Sequence, residues 1–118
     1  MSDTIFCDID GTLVEYDSRD ISKQLSPDNK LILTPGTKEK LSEWIKAGHT
    51  IILTTGRKES SRKVTEDQLR NVSITYDQLI MGINGKRYLI NDRKTGNDGP
   101  ACTAITVDRN KGIEHVNI

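Results

Sequence analysis

The apolar run at Ile5, Phe6 and Cys7 gives way abruptly to Asp8-Ile9-Asp10-Gly11-Thr12, and no other stretch constrains the chain as much. β-Branched and aromatic residues crowd a segment too short for a helix, and Gly11 breaks it, so Ile5 to Ile9 reads as a short buried strand. Its C-terminal end carries two aspartates. In open parallel α/β sheets that edge faces the ligand crevice. With one residue between them, the Asp8 and Asp10 side chains leave the strand on the same side. Carboxylates that close repel each other, and a hard divalent cation such as Mg²⁺ relieves the repulsion. The Asp-x-Asp-Gly pattern taken alone suits a solvated turn closing a strand equally well.

A second strand ends in the same way. Thr34 and Pro35 give a helix start, with Thr34 as N-cap, Leu41, Trp44 and Ile45 as the apolar stripe, and Gly48 as the C-terminal stop. His49 to Arg57 then reads as a buried strand closing in Thr54-Thr55-Gly56-Arg57. Strand, helix, strand in that order is a right-handed crossover between parallel strands, which brings Thr55 to the sheet edge that holds Asp8. Between them, Glu15 to Asn29 is a polar excursion of flap length. Lys58 to Val72 predicts one broken helix or two short ones, with Thr65 and Gln68 spaced as a capping box. Leu79-Ile80-Met81, Tyr88-Leu89-Ile90 and Ala101 to Val107 read as further short strands, the second ending in Asn91-Asp92-Arg93-Lys94. A turn-rich loop over 95–100 and a polar tail from Asp108 to Ile118 complete the chain.

Composition narrows the function classes. A chain of 118 residues with 34% hydrophobic and 4% aromatic residues reads as a single small domain over 1–118, with Trp44 and Phe6 as its bulkiest core candidates. Lys and Arg balance Asp and Glu at 17 each, which leaves no electrostatic footprint for nucleic acid or an anionic membrane. No apolar stretch approaches membrane-spanning length and no signal pattern opens the chain, so a cytoplasmic location is expected. Cys7 and Cys102 are widely separated and read as reduced core thiols. His49 and His115 have no acidic partner at readable spacing.

The run from the first strand through Asp8-Ile9-Asp10-Gly11-Thr12-Leu13-Val14 resembles the first motif of the haloacid dehalogenase (HAD) superfamily of phosphotransferases. The resemblance extends from Ile5 to about Val107 and implies a three-layer Rossmann-like α/β sheet with a short flap and no cap domain. It implies Asp8 as nucleophile forming an aspartyl-phosphate, Asp10 as acid and base, and Thr55 with Gly56 as phosphoryl-oxygen donors. It also implies Mg²⁺ held by Asp8, Asp10 through its main-chain carbonyl, and Asp92. A charge-balancing lysine falls best on Lys86, with Arg87 as the substitute, although a surface lysine in a glycine-containing turn has the same appearance. Arg57 and Arg93 follow site residues and read either as a clamp for a second substrate anion or as surface arginines.

What the resemblance implies is a Mg²⁺-dependent phosphomonoesterase acting on a phosphorylated small metabolite, a sugar phosphate or sugar-acid phosphate. The stretch from Asn91 with Arg109-Asn110-Lys111-Gly112 is similar to small HAD proteins linked to bacterial surface-polysaccharide sugars. Without a cap, a homo-oligomer completing the active site is in keeping with the family. Three rivals stand beside this reading. A receiver-type signalling module predicts an aspartate at a middle strand end, where Thr54-Thr55-Gly56 stands instead. A catalytically silent HAD scaffold needs neither Asp8 nor Asp10. A nucleic-acid end phosphatase fits poorly with zero net charge and sparse aromatics.

Overall fold

The computed structural model describes residues 2–93 and 99–118. The first strand, β1, spans Thr4–Asp8, and its period-2 alternation turns Ile5 and Cys7 into the core. A four-residue helix, α1, covers Ile21–Gln24 within the excursion after β1. Helix α2 covers Thr37–Lys46 and feeds β2, Thr50–Thr54. A 3₁₀ turn at Glu59–Ser61 leads into α3, Arg62–Asn71, and β3 is Gln78–Ile80.

The three strands pair in parallel in the order β1-β2-β3, so the chain is an open α/β sheet of Rossmann-like type. In register, Asp8 lies beside Thr54, and both strands end at one edge. Ile51, Ile52 and Leu53 are all buried on the central strand, as a strand flanked on both sides requires. Ile5, Cys7, Ile51, Leu53 and Leu79 share one cluster with Leu41, Trp44 and Leu69, so α2 and α3 cover that face of the sheet. The core candidate Phe6 points to the other face and is 55% exposed.

Helix α2 begins later than its sequence signals suggest. Gly36, at φ +87°, is its N-cap, because the chain near Glu114 passes over Pro35 and Gly36 and holds them in a turn. The Ile113 amide donates to the Pro35 carbonyl at 2.9 Å, and Ile113 is 2% exposed. Thr34 is diverted from capping: its hydroxyl donates to the Thr12 carbonyl at 2.6 Å and lies 2.9 Å from Thr37 Oγ1. Leu41 and Trp44 are buried, whereas Ile45 faces largely outward. Gly48, at φ +85°, closes the helix as its position implies.

Two expected strands do not form. Tyr88, Leu89 and Ile90 are 78%, 63% and 92% exposed and join no sheet, and 101–107 likewise makes no strand. Neither segment docks on the open outer edge of β1, and a short apolar run without a neighbouring strand has nothing to order it. Of the expected 95–100 loop, residues 95–98 lie outside the described residues. The polar tail is instead integral to the fold through the buried Ile113.

Candidate active site

The turn after β1 is built around one buried residue. Ile9 is fully buried, and its carbonyl accepts from the amides of Thr12, Leu13 and Val14 at 2.9 to 3.2 Å. Gly11, at φ +85°, permits this tight return, and its amide donates to the Val14 carbonyl at 2.8 Å. The two aspartates flanking Ile9 are thereby fixed at the mouth of a cavity of about 620 Å³.

Their environments differ sharply. The Asp8 side chain is 40% exposed; Thr12 Oγ1 donates to its Oδ2 at 3.1 Å, and Arg87 Nη2 lies 3.9 Å from Oδ1. Burial pushes the Asp8 carboxyl above its ordinary value and the charge of Asp10 adds to the rise, while Thr12 and Arg87 pull the other way. Asp10 is instead clamped. Arg57 Nε and Nη2 donate to Asp10 Oδ2 and Oδ1 at 2.9 Å each, and Gln24 Nε2 donates to Oδ1 at 2.8 Å.

The clamp is itself supported from α3. Arg57 Nη1 donates to Thr65 Oγ1 at 2.9 Å and to Gln68 Oε1 at 2.7 Å. Gln68 Nε2 then donates to the carbonyls of Gln24 and Ser26, at 2.9 and 3.0 Å. Thr65 and Gln68 lie three apart on one buried face of α3, so they serve this network and do not form a capping box. Thr55 is buried beside the clamp, its Oγ1 accepting from the Arg57 amide at 3.1 Å.

The profile of haloacid dehalogenase-like hydrolases matches residues 5–98. The chain belongs to that family. Among solved structures, this HAD-like hydrolase is similar to a chain of the Pnkp1/Rnl/Hen1 RNA repair complex, at 31% identity and a TM-score of 0.58. That match covers 73% of this chain and 28% of the other, so the chain spans little more than a quarter of the relative's length. It shares its fold with D,D-heptose 1,7-bisphosphate phosphatase from B. bronchiseptica, solved with magnesium and phosphate, at 21% identity and a TM-score of 0.52 over 72% of this chain and 51% of that one. A structural-genomics target from Vibrio cholerae matches the fold over 100% of this chain and 91% of its own, at 19% identity and a TM-score of 0.57. Comparison with curated proteins returns no match.

In this HAD-like hydrolase Asp8, Asp10, Thr55, Gly56 and Arg57 all line the one cavity. Three other expected site residues are elsewhere. Lys86 sits with its Nζ 5.4 Å from the Tyr88 ring centroid, and it is Arg87 that reaches the cavity and Asp8. Asp92 and Arg93 are exposed and outside the cavity, because 88–92 does not join the sheet and the expected strand end is not there to carry them inward. Arg57 is neither a surface arginine nor a free anion clamp, since four of its donors are spent on Asp10, Thr65 and Gln68. Sequence reading missed Thr12 and Gln24, which bond the aspartates, and Lys58 and Arg109, which line the same cavity. Thr12, inside the quoted motif, was the one with a local signal.

The donor chemistry suits a magnesium ion. Among the described residues no three acidic, His or Cys side chains converge as a metal cage. Asp8 offers a partly exposed carboxylate, and the Asp10 carbonyl accepts no hydrogen bond among the described residues. Mg²⁺ commonly takes one or two protein oxygens and completes its octahedron with waters and substrate phosphate.

Proposed function

We propose that this HAD-like hydrolase is a Mg²⁺-dependent phosphomonoesterase working through an aspartyl-phosphate, on a phosphorylated small metabolite such as a sugar phosphate or sugar-acid phosphate. The observation that carries the reading is the division between neighbouring carboxylates: Asp8 faces the cavity with one oxygen only loosely engaged, while Asp10 is held by Arg57 and Gln24. A silent scaffold gives no reason to keep a carboxylate where burial disfavours its charge.

In this mechanism an Asp8 oxygen attacks phosphorus and the bond to the leaving oxygen breaks, with Asp10, one oxygen turned out of the Arg57 fork and carrying a proton taken up from solvent, giving that proton to the leaving oxygen. Asp10 then takes a proton from water, whose oxygen attacks phosphorus and releases Asp8. Thr12 orients the nucleophile by holding Oδ2, and Arg57 with Gln24 fixes the direction from which Asp10 acts. Thr55 and the backbone around Gly56 face the phosphoryl oxygens. Arg87 takes the charge-balancing part beside Asp8. The Asp8 carboxylate and the Asp10 carbonyl would hold Mg²⁺, which would supply charge neutralisation at the phosphoryl group.

The RNA repair relative supports a second reading, a nucleic-acid end phosphatase, against which the balanced charge of the chain weighs. A homo-oligomer is supported by the exposed apolar side chains of Phe6, Tyr88, Leu89 and Ile90. Free thiols at Cys7 and Cys102 support a reducing, cytoplasmic location; among the described residues no helix is long and apolar enough to cross a membrane.

The test is phosphate release with Mg²⁺ from sugar phosphates, sugar-acid phosphates, nucleotides and a 3′-phosphorylated oligonucleotide, with Asp8→Asn as the blank. Asp8-dependent release from the sugar compounds is expected. Preference for the oligonucleotide establishes the second reading, and no Asp8-dependent release from any compound overturns both.

A further inference from the structure

The cavity carries more positive charge than a phosphoryl group needs. Asp8 and Asp10 face Arg57, Lys58, Arg87 and Arg109, a surplus of two positive charges on its walls. Arg57 and Arg87 are matched to Asp10 and Asp8. Lys58 and Arg109 make no ion pair among the described residues, and both are exposed. On the reading above, a divalent cation offsets the phosphoryl dianion, so the two unmatched cations remain for something else on the substrate.

Arg109 is also placed with unusual care for a residue so near the chain end. The Asn110 amide donates to the Gly11 carbonyl at 2.7 Å, and the Asn110 side chain clips Tyr16 from both sides, accepting from its amide at 2.8 Å and donating to its carbonyl at 2.9 Å. The Arg109 stem lies over Gly11, where an added Cβ would stand 3.1 Å from Cγ, and its guanidinium sits 5.4 Å from the Tyr16 ring centroid. A guanidinium stacked on an aromatic keeps its donor edge for a planar anion. Tyr16, Ile21 and Leu25 in the cavity lining offer apolar surface to a carbon skeleton.

We propose that Arg109, with Lys58, binds a second anionic group of the substrate, a carboxylate or a second phosphate, and so selects phosphorylated sugar acids or bisphosphates over singly charged-group phosphomonoesters. The proposal rests on the phosphomonoesterase reading.

Its test compares three ligands that differ only at the first carbon, 6-phosphogluconate, glucitol 1,6-bisphosphate and glucitol 6-phosphate, with a 3′-phosphorylated oligonucleotide beside them, by calorimetric titration with Mg²⁺ into the Asp8→Asn variant. At least one dianionic-group ligand is expected to bind about tenfold tighter than glucitol 6-phosphate, the gluconate arm reporting a carboxylate subsite and the bisphosphate arm a phosphate subsite. Adding Arg109→Gln should cut that ratio below about threefold, and Arg109→Lys, which keeps the charge but not the stacked fork, should restore it only in part, with the thermal midpoint reporting that the tail stays docked. Equal binding of all three small ligands, a ratio unchanged by Arg109→Gln, or tighter binding of the oligonucleotide overturns the proposal while leaving a phosphomonoester site in place. Absence of binding by every ligand overturns the proposal and the parent reading together.

Discussion

Arg57 grips Asp10 through two parallel bonds, Nε to Oδ2 and Nη2 to Oδ1, both 2.9 Å long, with only 4% of the arginine side chain and 17% of the aspartate exposed. A pair this enclosed contributes little net stability, because desolvation offsets most of the attraction, but it fixes geometry. Here the geometry fixed is that of the carboxylate next to the nucleophile.

Arg57→Ala should therefore be costly twice over. It leaves Asp10, Thr65 and Gln68 without their partner, and removing one member of a buried pair costs about 3–5 kcal/mol. Urea unfolding near neutral pH reads that loss. Arg57→Lys keeps the charge but not the fork, and should retain more stability while lowering kcat by about 10²-fold. Near wild-type turnover in the lysine variant would show that the fork does not position Asp10.

Asp8→Asn should lower phosphate release by at least about 10³-fold, because the amide cannot form the phosphoaspartate. A variant retaining a tenth of the activity would remove Asp8 from the nucleophile's role.

The same substitution should stabilise the metal-free protein. Burial raises the Asp8 carboxyl above its ordinary 3.8, so the folded state holds that proton more tightly than the unfolded chain does. The associated stability is fully present below 3.8 and is lost as pH rises through the raised folded value. Asp8→Asn should thus melt higher than wild type at neutral pH in a chelator, with the difference closing on acidification. Identical melting curves across that range would mean that Asp8 is not strained in the folded protein.

Gly112→Ala should undock the tail. Gly112 has φ +91°, and an added Cβ would stand 2.2 Å from the Pro35 carbonyl oxygen. Strain at such a position costs on the order of 1–3 kcal/mol, and relieving it by movement releases Ile113 from the core. A lower thermal midpoint and faster proteolysis of the C-terminal residues are expected; an unchanged midpoint would mean that the tail contributes no stability.

Much of the scaffold was readable along the chain. Ile5 to Ile9 and Leu79 to Met81 each fall within one residue of a real strand, and His49 to Arg57 contains β2 but runs three residues past its end at Thr54, since a parallel strand announces itself by a short β-branched run stopped by small polar residues. Parallel order then brought Asp8 and Thr55 together without further information. Tyr88 to Ile90 has the same local signature and is not a strand, because a strand exists only with a neighbour to pair with.

What the chain determined by itself was local: where strands stop, where Gly11 and Gly48 must turn, and that two carboxylates stand at the end of one strand. Tertiary structure alone decided which groups those carboxylates meet. Arg57 lies 47 residues from Asp10, and Asn110 lies 94 from Tyr16. A guanidinium or an amide carries no sequence pattern naming its partner. Its bonds are chosen when loops, a helix face and the tail close over one site, and water is excluded from between them.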